Sequence, residues 1–423
     1  MTESTLPRTP FAGLPWLICA LAAAALYGNF YVYDSIGPVA DLLQQKRGFS
    51  DSQIGLLNGI YSLPNILLTL VGGVLVDRFG AARMTLITSL ICLAGAALTA
   101  WSPGFYGMAA GRLLFGIGGE TFSIATLAAI TDYFALGRLA FAMALTLSIS
   151  RLGSYSADMS TSWFADAYAR GWQPPLEIAV AVAATSVVAA FIYWWIDRGP
   201  ARTRVAQRTA EPFHLRDLWH FGRAYWYLLL LCVLWYSVIL AFRSTFSIKY
   251  FQQVHGLDLA TAGAMNSYVY LAAVFATPLF GWICDRVGRY APFLAFGALL
   301  LPISLTLMMT LGIHGLWMAT ALLGVSYSLV PAVMWPLTSR LVSPQRFGTA
   351  LGLMWVIQNA GIFSANIIAG WLNDGAGASA QNPAGYGPMM DFFWVTSAAG
   401  CICALLLWWT AGRKQHEART IPA

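Results

Sequence analysis

Apolar residues run in long blocks along this chain, and charged residues collect between the blocks instead of alternating within them. Breaking the runs at charges and at Gly/Pro clusters predicts twelve spans, near 14–42, 52–76, 81–101, 104–134, 139–165, 176–196, 223–251, 260–283, 290–311, 314–340, 347–372 and 388–411. Each is close to the ~20 residues that a helix needs to cross the hydrocarbon of a bilayer. The pattern therefore predicts an all-α membrane protein with twelve transmembrane helices joined by short loops, and an even count puts both termini on one side. The widest gap, Asp197 to Phe221, contains Arg198, Arg202, Arg204, Arg208 and Arg216. It divides the spans six and six, giving an amino-terminal bundle over 1–197, a basic linker over 198–221 and a carboxy-terminal bundle over 222–423.

Charge decides the orientation. With the termini in the cytoplasm, the cytoplasmic segments hold Arg78, Arg83, Arg138, the linker arginines, Arg286, Arg289, Arg340, Arg346 and Arg413, while the opposite side holds only Lys46, Arg47, Arg170 and Lys249. That asymmetry follows the positive-inside rule. The two halves also repeat. Gly73-Val-Leu-Val-Asp77-Arg78-Phe-Gly80 returns as Gly281-Trp-Ile-Cys-Asp285-Arg286-Val-Gly288, 208 residues later and after the equivalent span. Parallel repeats of this kind imply two six-helix bundles related by a pseudo-twofold axis normal to the membrane.

Composition sharpens the class. The 423 residues are 58% hydrophobic and 10% charged, against about 25% charged in soluble domains. A soluble enzyme, a disordered chain and a nucleic-acid-binding protein are excluded, despite a net charge of +6. Cys19, Cys92, Cys232, Cys284, Cys401 and Cys403 lie in or beside apolar runs without metal-ligand spacing and read as packing residues. No nucleophile with a base, no metal cluster and no phosphate loop stands out, so no enzymatic activity and no cofactor are expected. The absence of an Asn-x-Ser/Thr sequon favours a bacterial inner membrane.

Gly73 to Arg83, read as Gly-x-x-x-Asp-Arg-x-Gly-x-x-Arg, resembles the cytoplasmic loop motif of the major facilitator superfamily, and Arg112-Leu-Leu-Phe-Gly116 resembles its fourth-helix motif. Ala82 departs from the second basic residue found in many members. The resemblance implies a cytoplasmic gate built from Gly73, Asp77, Arg78 and Arg83 and, by the repeat, Asp285 and Arg286. Arg112-to-Glu120, Ser150-to-Ser154, Leu323-to-Leu329, Trp335-Pro336, Gln358-to-Gly361, Tyr33-Asp34 and Lys249 are similar to the branch of that superfamily that includes a lysosomal dipeptide uniporter. That similarity implies a central cavity in which Glu120 and Arg151 receive a zwitterionic dipeptide. In animals the branch works with an accessory glycoprotein, for which the sequence marks no site; a monomer in contact with membrane lipids is expected.

Ionisable residues at membrane depth are functional by default, because lipid does not solvate them. Counting ~1.5 Å of rise per residue from the turn near residue 136 places Glu120 at roughly 25 Å and Arg151 at roughly 22 Å along neighbouring helices. Two readings stand: an ion pair that locks the amino-terminal bundle, or a pair of sites for an ammonium and a carboxylate. Gly116, Gly118 and Gly119 are expected to leave a small-walled cavity around Glu120. The repeat maps Glu120 onto Ser328 and Arg151 onto Asn359, so the charges sit in one half, while Tyr327, Trp335, Gln358 and Asn359 supply aromatic and amide contacts from the other. For Tyr327 and Trp335, ordinary packing or interfacial anchoring is the competing reading. Asp34 and Arg243 fall in the outer part of the membrane and are expected to face each other in an outer gate or else to be solvated; Asp158, seven residues beyond Arg151, either pairs with an outer basic group or meets water. Proton coupling is undecided: Glu120, Asp34 and Asp158 are the protonatable groups, and the resemblance to a uniporter argues against coupling. The function expected is transport of dipeptides or amino-acid-like zwitterions by alternating access. The alternatives are an exporter of drugs or amphiphiles, a siderophore or organic-anion transporter, and a receptor without flux.

Overall fold

The computed structural model describes residues 13–134, 136–198, 220–343 and 346–420; the linker arginines Arg202, Arg204, Arg208 and Arg216 lie outside them. The amino-terminal half contains α1 (Leu14–Asp34), α2 (Ile36–Arg47), α3 (Asp51–Gly59), α4 (Ser62–Phe79), α5 (Ala81–Trp101), α6 (Phe105–Tyr133), α7 (Leu136–Trp163), the short α8 (Ala165–Arg170) and α9 (Gln173–Asp197). The other half contains α10 (Arg223–Ala241), a π-helical turn (Phe242–Phe246), α11 (Ser247–His255), α12 (Leu259–Val287), α13 (Tyr290–Thr310), α14 (Ile313–Leu341), α15 (Phe347–Ala376) and α16 (Gly387–Thr420).

Among the described residues, ten helical segments are long and apolar enough to cross a membrane, or eleven when the broken α3–α4 span is included. The twelfth span is α7, which is long enough but more polar. Its Ser148, Ser150, Arg151, Ser154, Ser156, Asp158, Ser160 and Thr161 are accommodated because part of that helix faces the other half and not lipid.

The repeat read from the loop motifs governs packing throughout. In the first half α5 packs on α6 and α9, and α1 on α7 and α9; in the second, α13 packs on α14 and α16, and α10 on α15 and α16. The interface between the halves obeys the same symmetry, with α7 against α12 and α15 against α3 and α4.

Three spans are interrupted where the sequence pattern shows a continuous run. Pro38 has no N–H to give the Asp34 carbonyl, and Pro64 has none for Ile60. The chain responds with tighter bonds, Ser35 N–H to the Val32 carbonyl at 3.4 Å and Leu63 N–H to the Ile60 carbonyl at 3.2 Å. The third interruption is the π turn, a widening that often marks a functional site. Its Arg243 carbonyl accepts from Ser247 Oγ at 2.8 Å and from Asn266 Nδ2 at 3.1 Å.

Arg112 explains how two of these breaks sit together. Its fully buried guanidinium donates to the carbonyls of Leu57 at 3.1 Å, Val32 at 3.0 Å and Tyr33 at 3.0 Å, and to Asn58 Oδ1 at 2.6 Å. The fourth-helix arginine thus satisfies backbone acceptors beside the interruptions of the first two spans, each of which is costly to leave unpaired in an apolar environment.

Candidate functional site

Between the halves lies a cavity of about 540 Å³, within the range of small-molecule sites. Glu120 reaches it from α6 and Arg151 from α7, while Tyr327, Trp335, Gln358 and Asn359 reach it from α14 and α15. The structure therefore brings all six residues expected around a substrate to one space. Ser328, the repeat partner of Glu120, is instead buried and donates to the Gly324 carbonyl at 2.7 Å.

No ion pair joins Glu120 to Arg151, and among the described residues the Glu120 carboxylate has no hydrogen-bond or ion-pair partner. Arg151 turns to the other half. Its Nη1 donates to Thr277 Oγ1 at 2.6 Å and lies 3.5 Å from the Ala273 carbonyl, and its guanidinium stands 5.3 Å from the centre of the Tyr327 ring. The interhelical lock considered from the sequence is absent, leaving a carboxyl group and a guanidinium on the cavity unpaired with each other.

The glycines beside Glu120 have another role than the one expected. A Cβ at Gly116 would lie 2.4 Å from the Tyr61 carbonyl oxygen, and one at Gly119 would lie 2.7 Å from the Tyr61 hydroxyl. These positions, with Gly118 against Cys92, let α6 approach its neighbours; they do not hollow out a cavity wall. The walls come from large side chains. Tyr33, Tyr61, Tyr236, Tyr270 and Trp355 also line the space, and Trp335 and Trp355 are stacked with centroids 5.0 Å apart and planes 15° apart.

Past the cavity, on the face remote from the Asp77 and Asp285 turns, polar groups join the halves. Arg243 Nη1 bonds Asp34 Oδ1 at 2.8 Å, and Nη2 contacts Asp158 Oδ2. Asp158 Oδ2 also accepts from Asn266 at 3.0 Å. These three charges are buried, which rules out solvation of Asp34, Arg243 and Asp158 at the surface in this state. Arg243 also lies 3.6 Å from the ring centre of Tyr270, which itself lines the cavity, so the cluster stands directly behind one cavity wall.

A second layer lies farther out. Lys249, assigned by the charge count to the outer surface, is fully buried and bonded to Asp51. Asp374 accepts from the backbone N–H groups of Asp51 at 2.7 Å and Ser52 at 2.9 Å. A carboxylate of one half thus caps a helix of the other, where the helix dipole favours negative charge. Asn58 adds bonds to the Ser244 carbonyl at 3.0 Å and Thr245 Oγ1 at 2.7 Å.

Backbones meet closely here, because Gly55 and Gly370 have no side chains. A Cβ at Gly370 would fall 2.3 Å from the Asp51 carbonyl oxygen, and one at Gly55 2.2 Å from the Asn366 carbonyl oxygen. Gly370→Leu is therefore expected to part the halves on this face. Spin labels at Arg170→Cys and His314→Cys, two exposed positions on the same face in opposite halves, will report a longer separation than in the parent; an unchanged distance distribution would show that the contact does not hold the face shut.

On the other face the loop residues behave differently. Asp77, Arg78, Arg83, Asp285 and Arg286 are exposed, and Gly73 is half-buried with open space around its Cα. Arg78 stands over Phe79 and Arg286 over Trp282, while Asp285 accepts from Tyr290, whose hydroxyl also accepts from Arg340 at 2.9 Å. Each of these contacts stays within its own half.

Sequence reasoning missed Thr277, Asp51, Asp374, Asn58 and Asn266. Asp51 opens α3 and Asp374 lies in the last turn of α15, and single acids, amides or hydroxyls at such places carry no local sign of a partner in the other half. Pro278, immediately after Thr277, was the one signal in the sequence of a freed backbone carbonyl in α12.

Comparison with known proteins gives a consistent setting. Residues 18–366 and 245–423 match the family model described as Major Facilitator Superfamily. The chain is 30% identical over 365 residues to the lysosomal dipeptide transporter MFSD1 of Danio rerio, covering 82% of this chain and 78% of the relative. It is 28% identical over 378 residues to MFSD1 of Homo sapiens, covering 85% and 79%. Among solved structures, a bacterial homologue of the human lysosomal transporter Spinster in an inward-facing, occupied conformation superposes with a TM-score of 0.75 at 16% identity, over 98% of this chain and all of the other. The peptide transporter POT superposes with a TM-score of 0.76 at 15% identity, over 96% of each chain.

Proposed function

The chain belongs to the Major Facilitator Superfamily and is a multi-pass membrane transporter, and from that premise we propose that it carries small zwitterions, dipeptides or amino-acid-like molecules, by alternating access. One observation carries the reading: Glu120 and Arg151 face the same cavity without pairing to each other. A free dipeptide brings an ammonium for the carboxylate and a carboxylate for the guanidinium, while the ring-lined wall of the second half accepts side chains of varied shape. The names of the MFSD1 relatives and of the POT structure support this class of cargo.

In this reading both termini and the basic linker are cytoplasmic in a bacterial inner membrane, and the structure is the state closed to the outside. Asp34, Arg243 and Asp158 form the outer gate. Gly73, Asp77, Arg78, Arg83, Asp285 and Arg286 belong to the cytoplasmic gate, which is to engage in the opposite state. The aromatic wall with Arg151 also favours a second reading, an amphiphilic organic anion, which has no use for Glu120.

Ligand stabilisation of the purified protein separates the two. Dipeptides are expected to raise the unfolding temperature at millimolar concentration, because a ligand that binds only the folded state stabilises it by mass action. An organic anion that does so while dipeptides have no effect excludes the zwitterion.

A further inference from the structure

The helix that faces Arg151 carries a proline at the point of contact. Pro278 lies inside α12 and has no N–H for the Val274 carbonyl. Ser148 of α7 lies with its Oγ 3.5 Å from that freed carbonyl, and one turn farther along α7 Arg151 Nη1 donates to Thr277 Oγ1 at 2.6 Å. The polar side of α7 is thus docked on the proline-bearing stretch of α12, across the boundary between the halves.

The bond to Thr277 uses one edge of the guanidinium. Arg151 Nη1 is committed to Thr277, with the Ala273 carbonyl at 3.5 Å, and the Tyr327 ring lies nearby. Nε and Nη2 bond no protein acceptor among the described residues. Those two atoms form the edge that presents parallel N–H donors to a carboxylate. A threonine hydroxyl that fixes Nη1 therefore sets the orientation of a fork left free for a ligand.

We infer that Thr277 is a positioning residue for the carboxylate end of the cargo: by holding Arg151 from the opposite half, it completes the carboxylate site only while α7 and α12 are docked as here. This inference rests on the zwitterion reading and adds to it a reason for substrate and conformation to be linked. Arg151 belongs to one half and Thr277 to the other, so movement of the halves changes how well the fork is held. A ligand that binds one state better shifts the population toward that state. A carboxylate-bearing cargo thus favours the state closed on the remote face, whereas a cargo without a carboxylate does not gain from the bond.

The test compares the parent, Thr277→Val and Thr277→Ser, with Ala-Ala and its carboxamide as probes, in two readouts. Valine keeps the shape and removes the hydroxyl; serine keeps the hydroxyl. For Thr277→Val, the Kd of Ala-Ala is expected to rise about tenfold, with the Kd of the carboxamide changing less than twofold, and Thr277→Ser is expected to recover most of the affinity. With spin labels at Arg170→Cys and His314→Cys, Ala-Ala is expected to shorten the separation in the parent and not in Thr277→Val. Equal loss for the free acid and the carboxamide, no loss for either, or failure of serine to rescue overturns the positioning role. Failure of Ala-Ala to bind the parent at all instead overturns the zwitterion reading, and this inference with it. If Thr277→Val does not fold, the parent decides: a carboxamide that closes the remote face as well as the free acid does leaves Thr277 without the role assigned to it.

Discussion

Replacing Arg243 with alanine is expected to shift the protein out of the state closed on the remote face, by the largest margin of any single change outside the cavity. Among the described residues, the guanidinium is the one group from the carboxy-terminal half that bonds both Asp34 and Asp158. Removing it leaves two carboxylates in a site from which water is excluded. Breaking a buried ion pair by deleting one partner costs about 3–5 kcal/mol, most of it the burden of the charge left behind. The variant relieves that burden by parting the halves and hydrating the aspartates. Since ~1.4 kcal/mol is tenfold in an equilibrium, even the lower figure reverses a closed-to-open ratio of about ten. Spin labels at Arg170→Cys and His314→Cys will report the long separation as the main population. Neutralising the remaining charges, with Asp34→Asn and Asp158→Asn added to Arg243→Met, should restore much of the closed population, because what opens the gate is charge left unpaired and not the lost contact itself. A closed distribution in Arg243→Ala, or no recovery in the triple variant, would remove the cluster from the gate.

The same cluster shows what was legible in the sequence and what was not. Twelve spans, two halves and their repeat follow from apolar runs and from one duplicated loop, because a bilayer imposes length and charge rules that act locally along the chain. Asp34 and Arg243 were legible as a pair because helix rise puts them at similar depth in symmetry-related spans. Their burial was not, and neither was Lys249 bonded to Asp51, since both depend on how tightly Gly55 and Gly370 let the halves approach. The glycines beside Glu120 show the opposite difficulty. A small residue in a helix marks either a void or a close neighbour, and the positions of Tyr61 and Cys92 decide for the neighbour. For Arg151 the sequence left two readings, a pair with Glu120 on the adjacent helix or a separate carboxylate site, and its bond to Thr277 was in neither because it crosses between halves.

The cavity predicts a second large effect, and the pattern of loss matters more than its size. Removing one partner of a charge-assisted contact within a desolvated site costs about 2–5 kcal/mol, which is roughly 30-fold to 4,000-fold in affinity. Glu120→Gln is expected to weaken a free dipeptide by that order and to leave an N-acetylated dipeptide, which has no ammonium, with whatever affinity it had for the parent. Arg151→Ala is expected to do the reverse, weakening the free dipeptide strongly and its carboxamide little. Arg151→Lys should not rescue, because an ammonium has no planar fork with which to hold Thr277 on one edge and a carboxylate on the other. Each variant thus becomes indifferent to one end of the ligand, and the two ends separate because Glu120 and Arg151 are not bonded to each other. If they instead acted as a structural pair, each substitution would weaken all ligands alike and lower the stability of the ligand-free protein. Isothermal titration with the three ligands against the parent and the variants distinguishes the patterns. Uniform loss across the ligands would return Glu120 and Arg151 to the role of a bundle lock and leave the aromatic wall to define the cargo.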